Sequence, residues 1–328
     1  MTPQSIPGVS AIIPNWNGAS RLPGLFATLH QQTEIHELIL VDNGSTDLSR
    51  EIAARSGARV VSLPANLGFA AAVNRGIEEA RCPWLAIINN DVQLEPDWLR
   101  RLLETAIARD AWFATGKLLD MRQRDRIDGT YDTLSRGATA WRCGAGSLDG
   151  PEFGGERVIQ FAPFTALLAR RELFARAGLL DVDFKSYLED VEFGLRCATM
   201  GLSGVYVPSA VGYHAGSATL GRWHPETVRL IARNQLLLIA KHYPEWWFLR
   251  LGWPVLVGQI LWGLLALRHG RALAWMRGKG EGIRLLLRSR KRNSIDITNI
   301  LRASEDQIRV LQKRLGHDWY WRCYFALT

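Results

Sequence analysis

The sequence predicts an α/β protein: a mostly parallel mixed sheet flanked by helices, followed by a helical C-terminal extension. Three observations carry this reading. Four apolar runs recur within the first hundred residues, each separated from the next by a helix-like stretch. That alternation marks βαβ units and a parallel sheet. The second run ends in Asp42 and the fourth is followed within two residues by Asp91, and open α/β sheets bind ligands beyond the carboxyl ends of their strands. From about residue 225 the alternation stops and the chain reads as helices rich in Trp, Leu and Arg.

Taken in order, residues 9–14 (VSAIIP) form an apolar run ended by proline, and helix-like residues 21–31 follow. Residues 37–42 (ELILVD) are the second strand, and Ser45 or Thr46 can cap the helix over 47–56. Residues 58–63 (ARVVSL) are the third strand, followed by a helix over 69–80. Residues 84–89 are the fourth, with a helix over 96–108. The stretch 120–160 is rich in Gly and Asp without clear periodicity, which predicts a functional loop or lid, the alternative being a flexible surface excursion. Apolar structure resumes at 161–169, with a helix over 189–200 and a strand at 204–207. The expected division is a catalytic domain over 1–225, with halves of about 1–118 and 119–225, and a helical region over 226–328.

Composition narrows the class. The 328 residues are 47% hydrophobic and 22% charged, enough for a large core and against global disorder. Cys82, Cys143, Cys197 and Cys323 form no close pair, so neither a zinc site nor a redox dithiol is indicated, and scattered cysteines fit a reducing compartment. The N-terminus shows no basic and apolar leader, so no signal peptide is expected. The net charge of +8 is uneven: residues 241–328 hold 16 Lys and Arg against 6 Asp and Glu, or +10, leaving −2 for the rest. A basic, Trp- and Leu-rich quarter points to an anionic membrane surface rather than nucleic acid, for which no motif is present. Residues 251–267 are uncharged, short for a span, and interrupted by Gly252, Pro254 and Gly258. They are read as an interfacial helix, with an ordinary core helix as the alternative.

The chemistry concentrates in a few places. In 84–92 (WLAIINNDV), a strand ends in two amides and a carboxylate, a set that suits a hard divalent cation carrying phosphates. A polar turn would use the same residues. In 41–47 (VDNGSTD), Asp42 can accept from a base N–H, and Asn-Gly makes a tight turn. No G-x-G-x-x-G or P-loop follows the first strand, so a diphosphate here requires a metal. Asn66 and Asn74 bracket a helix start and can hold sugar or ribose hydroxyls, or serve as a cap and a surface amide. In 187–192 (YLEDVE), Glu189 and Asp190 head a helix whose Val191, Leu195 and Ala198 face the core, so a carboxylate there can act as a general base. His214 is a candidate metal ligand.

In order along the chain, AIIPNWN, LILVDNGSTD, NLGFAAAVNRG, AIINNDV, LLDVDFKSYLEDVEFGLR and GYHAGS resemble the family 2 glycosyltransferases of GT-A fold, bacterial rhamnosyltransferase-like members above all. The resemblance covers residues 9 to about 217. It implies that Pro14 and Trp16 line the nucleotide base and that Asp42 bonds it. Asn66, Asn74, Asn89, Asn90 and Asp91 then belong to nucleotide-sugar binding, with 89–91 at the DxD position. Family members often carry acids at the first two of those positions; this chain has Asn at both. Asp91 and His214 are implied ligands of Mg2+ or Mn2+, Asp190 the catalytic base, and Glu189, Phe164 and Thr165 the acceptor side. The implied reaction is an inverting transfer from a dTDP- or UDP-sugar to a hydroxyl of a glycan or lipid-linked acceptor, at the cytoplasmic face of the plasma membrane. A sugar-nucleotide-binding module without transfer activity, a nucleotidyltransferase and a membrane scaffold are the alternatives.

Overall fold

The computed structural model describes residues 7–216, 223–289, 295–316 and 318–328. Ser217 of the GYHAGS motif, the first six residues and residues 290–292 of the basic stretch 284–292 (RLLLRSRKR) lie outside them.

The first half alternates as its sequence requires. Strands β1 (Val9–Asn15), β2 (Ile35–Asp42), β3 (Arg59–Ser62) and β4 (Trp84–Ile88) are linked by α1 (Leu22–Leu29), α2 (Ser49–Arg55) and α3 (Phe69–Glu79). β1 pairs in parallel with both β2 and β4 and is buried along its whole length. Helices cover both faces of such a strand, which is why it reads as a continuous apolar run. A short β5 (Val92–Leu94) and α4 (Trp98–Ala108) follow, then β6 (Phe113–Asp120).

Between β6 and residue 160 the chain makes β7 (Ile127–Gly129), β8 (Asp132–Leu134), β9 (Ala140–Arg142) and β10 (Arg157–Ile159). Tyr131, Leu134 and Phe153 here are fully buried, so this stretch is structural core and not a surface excursion. Its strands are three residues each, too short to show a period. β11 (Ala166–Arg170) and α5 (Arg171–Ala177) lead to α6 (Glu189–Thr199) and β12 (Gly204–His214). The main sheet runs β10-β12-β6-β11-β4-β1-β2-β3, with β11 antiparallel to its neighbours β4 and β6. β12 continues seven residues past the expected end at Val207 because a register shift between Val207 and Val211 absorbs Pro208, which cannot donate to the ladder.

The remainder is helical: α7 (Pro225–His242), α8 (Trp247–Arg250), α9 (Gly252–Arg268), α10 (Ala272–Ser289), α11 (Thr298–Leu315) and α12 (Trp319–Leu327). These helices are built around the β8–β9 hairpin. Leu134 N–H donates to Ser304 Oγ (2.7 Å), Arg136 pairs with the buried Glu305 (2.6 Å), and Gly137 N–H donates to Tyr324 Oη (3.0 Å). Gln259 of α9 donates to Gly137 O at 2.8 Å. α9 approaches the hairpin so closely that a Cβ on Gly258 would lie 3.1 Å from Gly137 O. No described helix is long and apolar enough to cross a membrane.

Candidate active site

A cavity of about 470 Å³ opens at the carboxyl ends of β1 and β4. Its first wall is laid by strand ends. β1 delivers Asn15, whose side-chain oxygen accepts from Asn90 Nδ2 at 2.7 Å and whose amide donates to Ser45 Oγ at 3.3 Å. Pro14 and the partly exposed Trp16 line the same wall. β4 stops at Ile88 and β5 starts at Val92, so Asn89, Asn90 and Asp91 occupy the corner between them. β5 pairs antiparallel with β12, Val92 opposite His214, and this pairing carries His214 to Asp91.

His214 Nε2 lies 3.3 Å from Asp91 Oδ1, and its Nδ1 bonds Asp128 Oδ2 at 2.7 Å. A carboxylate behind a histidine fixes the ring and leaves the far nitrogen facing the site. Burial alone would lower the His214 pKa, but Asp128 and Asp91 outweigh it and hold it near 9. Burial likewise favours neutral Asp91, yet His214 and the more distant Arg21 keep its carboxyl below the ordinary value. Asn89 Oδ1 is buried without a donor, and the buried Asp91 Oδ1 has only the His214 Nε2 contact at 3.3 Å. Orphaned oxygens cost stability unless something completes them, and oxygen donors beside an imidazole are a chemically fitting set for Mg2+ or Mn2+. No three His, Cys, Asp or Glu side chains converge on a metal position among the described residues, so water and diphosphate oxygens would supply the remaining ligands.

The opposite wall carries acids. Glu189 and Asp190 open α6, where the helix dipole favours negative charge. The turn before them holds Lys185, Tyr187 and Leu188 at φ of 61°, 70° and 67°, a region non-glycine residues avoid. The fully buried Asn234 of α7 holds this turn: its Nδ2 donates to Phe184 O (2.9 Å), Ser186 O (3.0 Å) and Tyr187 O (2.7 Å). The turn also abuts Gly68 (φ 96°), where a Cβ would sit 2.9 Å from Lys185 O. From the side, the β8–β9 pairing sets Asp132 opposite Arg142. Arg142 Nε is 3.3 Å from Asp132 Oδ1, its Nη1 donates to Thr165 Oγ1 at 3.3 Å, and its Nη2 is 3.8 Å from Asp190 Oδ2.

One guanidinium therefore faces a group of buried carboxylates. Burial, reinforced by Asp190, pushes Glu189 well above the usual carboxylate range. Burial raises Asp190 as well, opposed by Arg142 and by the Val191 N–H it accepts at 2.8 Å. Asp132 is raised to about 6 by burial against the pull of Arg142. Perturbed carboxylates gathered in a cleft are a mark of acid–base chemistry.

The cavity wall includes Pro14, Trp16, Asn66, Asn89, Asn90, Asp91, Phe164, Thr165, Glu189, Asp190 and His214, all expected from sequence. Two expected residues are not in it. Asn74 turns its amide to the Leu180 backbone, donating at 2.8 Å and accepting at 2.9 Å, so it ties α3 to the 180s and is not available to a sugar. Asp42 is 1% exposed, and its carboxylate accepts the Ser45 N–H and sits 3.9 Å from Arg50. The neighbouring Asn43 takes the wall position, bonding Asn66 Oδ1 at 3.1 Å. Sequence reasoning missed Asn15, Asp128, Asp132 and Arg142. The run Thr130-Tyr131-Asp132-Thr133-Leu134 carries strand-forming types and was the available signal for β8.

A mostly parallel sheet with an amide-and-acid corner at one strand end and a carboxylate-headed helix across the cavity is the arrangement of an α/β group-transfer enzyme. The chain belongs to glycosyl transferase family 2, whose description matches residues 10–136, and it is a glycosyltransferase. It is 30% identical over 259 residues to the N-acetylglucosaminyl-diphospho-decaprenol L-rhamnosyltransferase of Mycobacterium tuberculosis, covering 70% of this chain and 81% of that one. Its fold is that of GT-A glycosyltransferases. GalNAc-T7 with UDP, GalNAc and Mn2+ superposes with a TM-score of 0.60 at 14% identity, over 96% of this chain and 57% of that one. The mannosyltransferase PcManGT from Pyrobaculum calidifontis, in complex with GDP-Man and Mn2+, gives 0.53 at 14% identity, over 98% and 86%.

Proposed function

We propose that this glycosyltransferase moves a sugar, with rhamnose the first candidate, from a dTDP- or UDP-sugar to a hydroxyl of a lipid-linked glycan acceptor in cell-surface polysaccharide synthesis. The observation that carries the reading is the facing of two walls across one cavity: Asp91 with His214 on one, Asp190 with Glu189 on the other. The mycobacterial relative's name specifies rhamnose and a decaprenol-linked acceptor, which supports the choice of both.

In this reading Pro14 and Trp16 take the base, and Asn66, Asn89 and Asn90 take polar groups of the donor. Asp91, with His214 and Asn89 beside it, holds Mg2+ or Mn2+, which when bound supplies Lewis-acid stabilisation of the departing diphosphate. Asp190 accepts the proton of the acceptor hydroxyl as that oxygen bonds to the anomeric carbon and the carbon–phosphate oxygen bond breaks. A raised carboxyl pKa brings the base nearer the working pH, which favours proton transfer. Burial raises the Asp190 pKa and Arg142 draws it back down. Glu189, Phe164 and Thr165 face the acceptor. The protein works at the cytoplasmic face of the membrane that holds its acceptor.

The test is thermal stabilisation by a panel of sugar nucleotides with and without Mn2+, because a ligand that binds the native state raises its melting temperature. A dTDP- or UDP-sugar that stabilises only with metal supports the reading. Equal indifference to every sugar nucleotide refutes it.

A further inference from the structure

The C-terminal helices leave an apolar face uncovered. On α9, Trp253, Leu256, Ile260, Leu264 and Leu267 recur every three or four residues on one side, and each is 45–60% exposed. On α10, Leu273, Met276, Ile283 and Leu287 repeat the pattern, with Leu287 79% exposed. α9 and α10 pack together, Gly263 meeting the Trp275 ring. Soluble surfaces carry scattered apolar side chains, but two adjacent helical stripes form a patch of the kind that marks an interaction site.

The other side of α9 is committed. Val255, Val257, Gly258, Gln259 and Leu261 are buried against the β8–β9 hairpin, α11 and α12, and Ala266 against Val228 of α7 and Ala274 of α10. A helix fixed to the protein along one side, 17 residues long, and so about 26 Å at 1.5 Å per residue, cannot stand across a bilayer. It can lie in the plane of one.

Charge selects the occupant. Between residues 246 and 289 the chain has six Arg and one Lys against a single acid, Glu281. Glu281 is already paired with Arg229 of α7. Arg250, Arg268, Arg277, Arg284 and Arg288 are exposed around the apolar stripes. A second copy of this chain would bring the same positive rim and be repelled; an anionic lipid surface is attracted.

We infer that the α9–α10 face docks on an anionic lipid bilayer, with Trp253, Leu256, Ile260 and Leu264 entering the headgroup boundary. This deepens the lipid-linked acceptor reading above and rests on it for its purpose, not for its evidence. It also gives the fold a use for the α9 contacts: the helix on the membrane grips, through Gln259 and Gly258, the hairpin that carries Asp132 and Arg142. Docking thereby sets the orientation of the acceptor side of the cavity toward the lipid.

The experiment uses the full chain and vesicles of phosphatidylcholine with or without 30% phosphatidylglycerol (about 30%, enough for a negative surface potential). The wild type is expected to co-sediment with the anionic vesicles at low salt, with a blue shift of Trp fluorescence, and to leave them in high salt. A Leu256→Gln, Ile260→Gln, Leu264→Gln variant is expected to stay in the supernatant while remaining folded, with a melting temperature lowered by only a few degrees, since the three positions are half exposed and Gln is a good helix former. Arg268→Gln should lower the partition constant about fivefold. Wild type that stays soluble with anionic vesicles, or that self-associates through this face in sedimentation velocity, overturns the inference. Transfer to a short-chain water-soluble acceptor is measured alongside. The triple variant should keep that activity and lose transfer to acceptor embedded in vesicles. Docking without transfer from any donor would sink the functional reading and leave the docking face standing; transfer without docking would do the reverse.

Discussion

Asn234 has no place in the cavity wall, yet its loss should cripple turnover. Replacing it with Ala removes the amide donor shared by Phe184 O, Ser186 O and Tyr187 O. The amide has two hydrogens, so about two hydrogen bonds' worth of satisfaction disappears from a fully buried site, at about 1–3 kcal/mol for each group left unpaired. The turn it holds stores strain at Lys185, Tyr187 and Leu188, each costing about 1–3 kcal/mol, and the clamp is what the strain works against. We expect Asn234→Ala to lose about 2–4 kcal/mol of stability in urea unfolding. The released turn then relaxes and moves Glu189 and Asp190 off their aim. A displacement near 1 Å at a reacting group costs about 10²-fold, so kcat for transfer should fall by that order while sugar-nucleotide affinity, set on the other wall, changes little. Asn234→Asp keeps the shape but removes the N–H donors and should be no better than Ala. The assay is kcat and KM for transfer beside donor binding by calorimetry, below the variant's unfolding temperature. A variant that is destabilised yet turns over at the wild-type kcat would show that α7 does not position the catalytic turn.

The remaining expectations concern single charges. Asp91→Ala should abolish metal-dependent donor binding and His214→Ala should weaken it, both read by titration calorimetry with and without Mn2+. Arg142→Met removes the cation 3.8 Å from Asp190, so the Asp190 pKa should rise further and the acid limb of the pH–rate profile should move to higher pH; a limb that stays in place separates Arg142 from the base. Glu192 is buried between Arg196 and His242, at 2.8 Å from each. Burial favours its neutral form, but these partners hold its pKa below the ordinary value. A depressed carboxyl pKa gives stability that is present above the unfolded value, about 4.3, and lost as pH falls through the folded one. Glu192→Gln should therefore cost about 1.5–3 kcal/mol at neutral pH by removing the carboxylate from Arg196, which keeps the carbonyls of Ala177 and Leu179, and flatten the loss of stability in acid, both measured by denaturant unfolding across pH.

The sequence was most legible where local pattern and tertiary role agree. β1 and β4 are buried along their whole length, and β2 over its last four residues, so their apolar runs announced them. Asp91 and Asp190 stood out because an acid at the end of an apolar strand, or at the head of a packed helix, needs a reason. The meeting of Asp91 with His214 was expected only through resemblance; it depends on the antiparallel pairing of a three-residue strand, β5, with the far end of β12. Asp132 and Arg142 were hidden for a similar reason. Each is an ordinary polar residue in a segment with no period, and only the hairpin register makes them a pair. Asn74 misled because a helix-start amide looks free in sequence, whereas its partner, the Leu180 backbone, lies 106 residues away. Residues 251–267 were posed as interfacial or core, but α9 has a core side and an exposed apolar side.

The most direct test of the whole account is transfer itself, by wild type and Asp190→Asn side by side. Both proteins are given a dTDP- or UDP-sugar, Mn2+ and a prenyl-diphosphate-linked glycan acceptor, and the glycosylated product is quantified by mass spectrometry while donor affinity is measured separately. The expected result is product from the wild type with one donor of the panel, a fall of about 10²–10⁴-fold in Asp190→Asn, and unchanged donor affinity. Near-wild-type product from Asp190→Asn would contradict the assignment of the base and, with it, the reading of the acid wall as the catalytic side of the cavity.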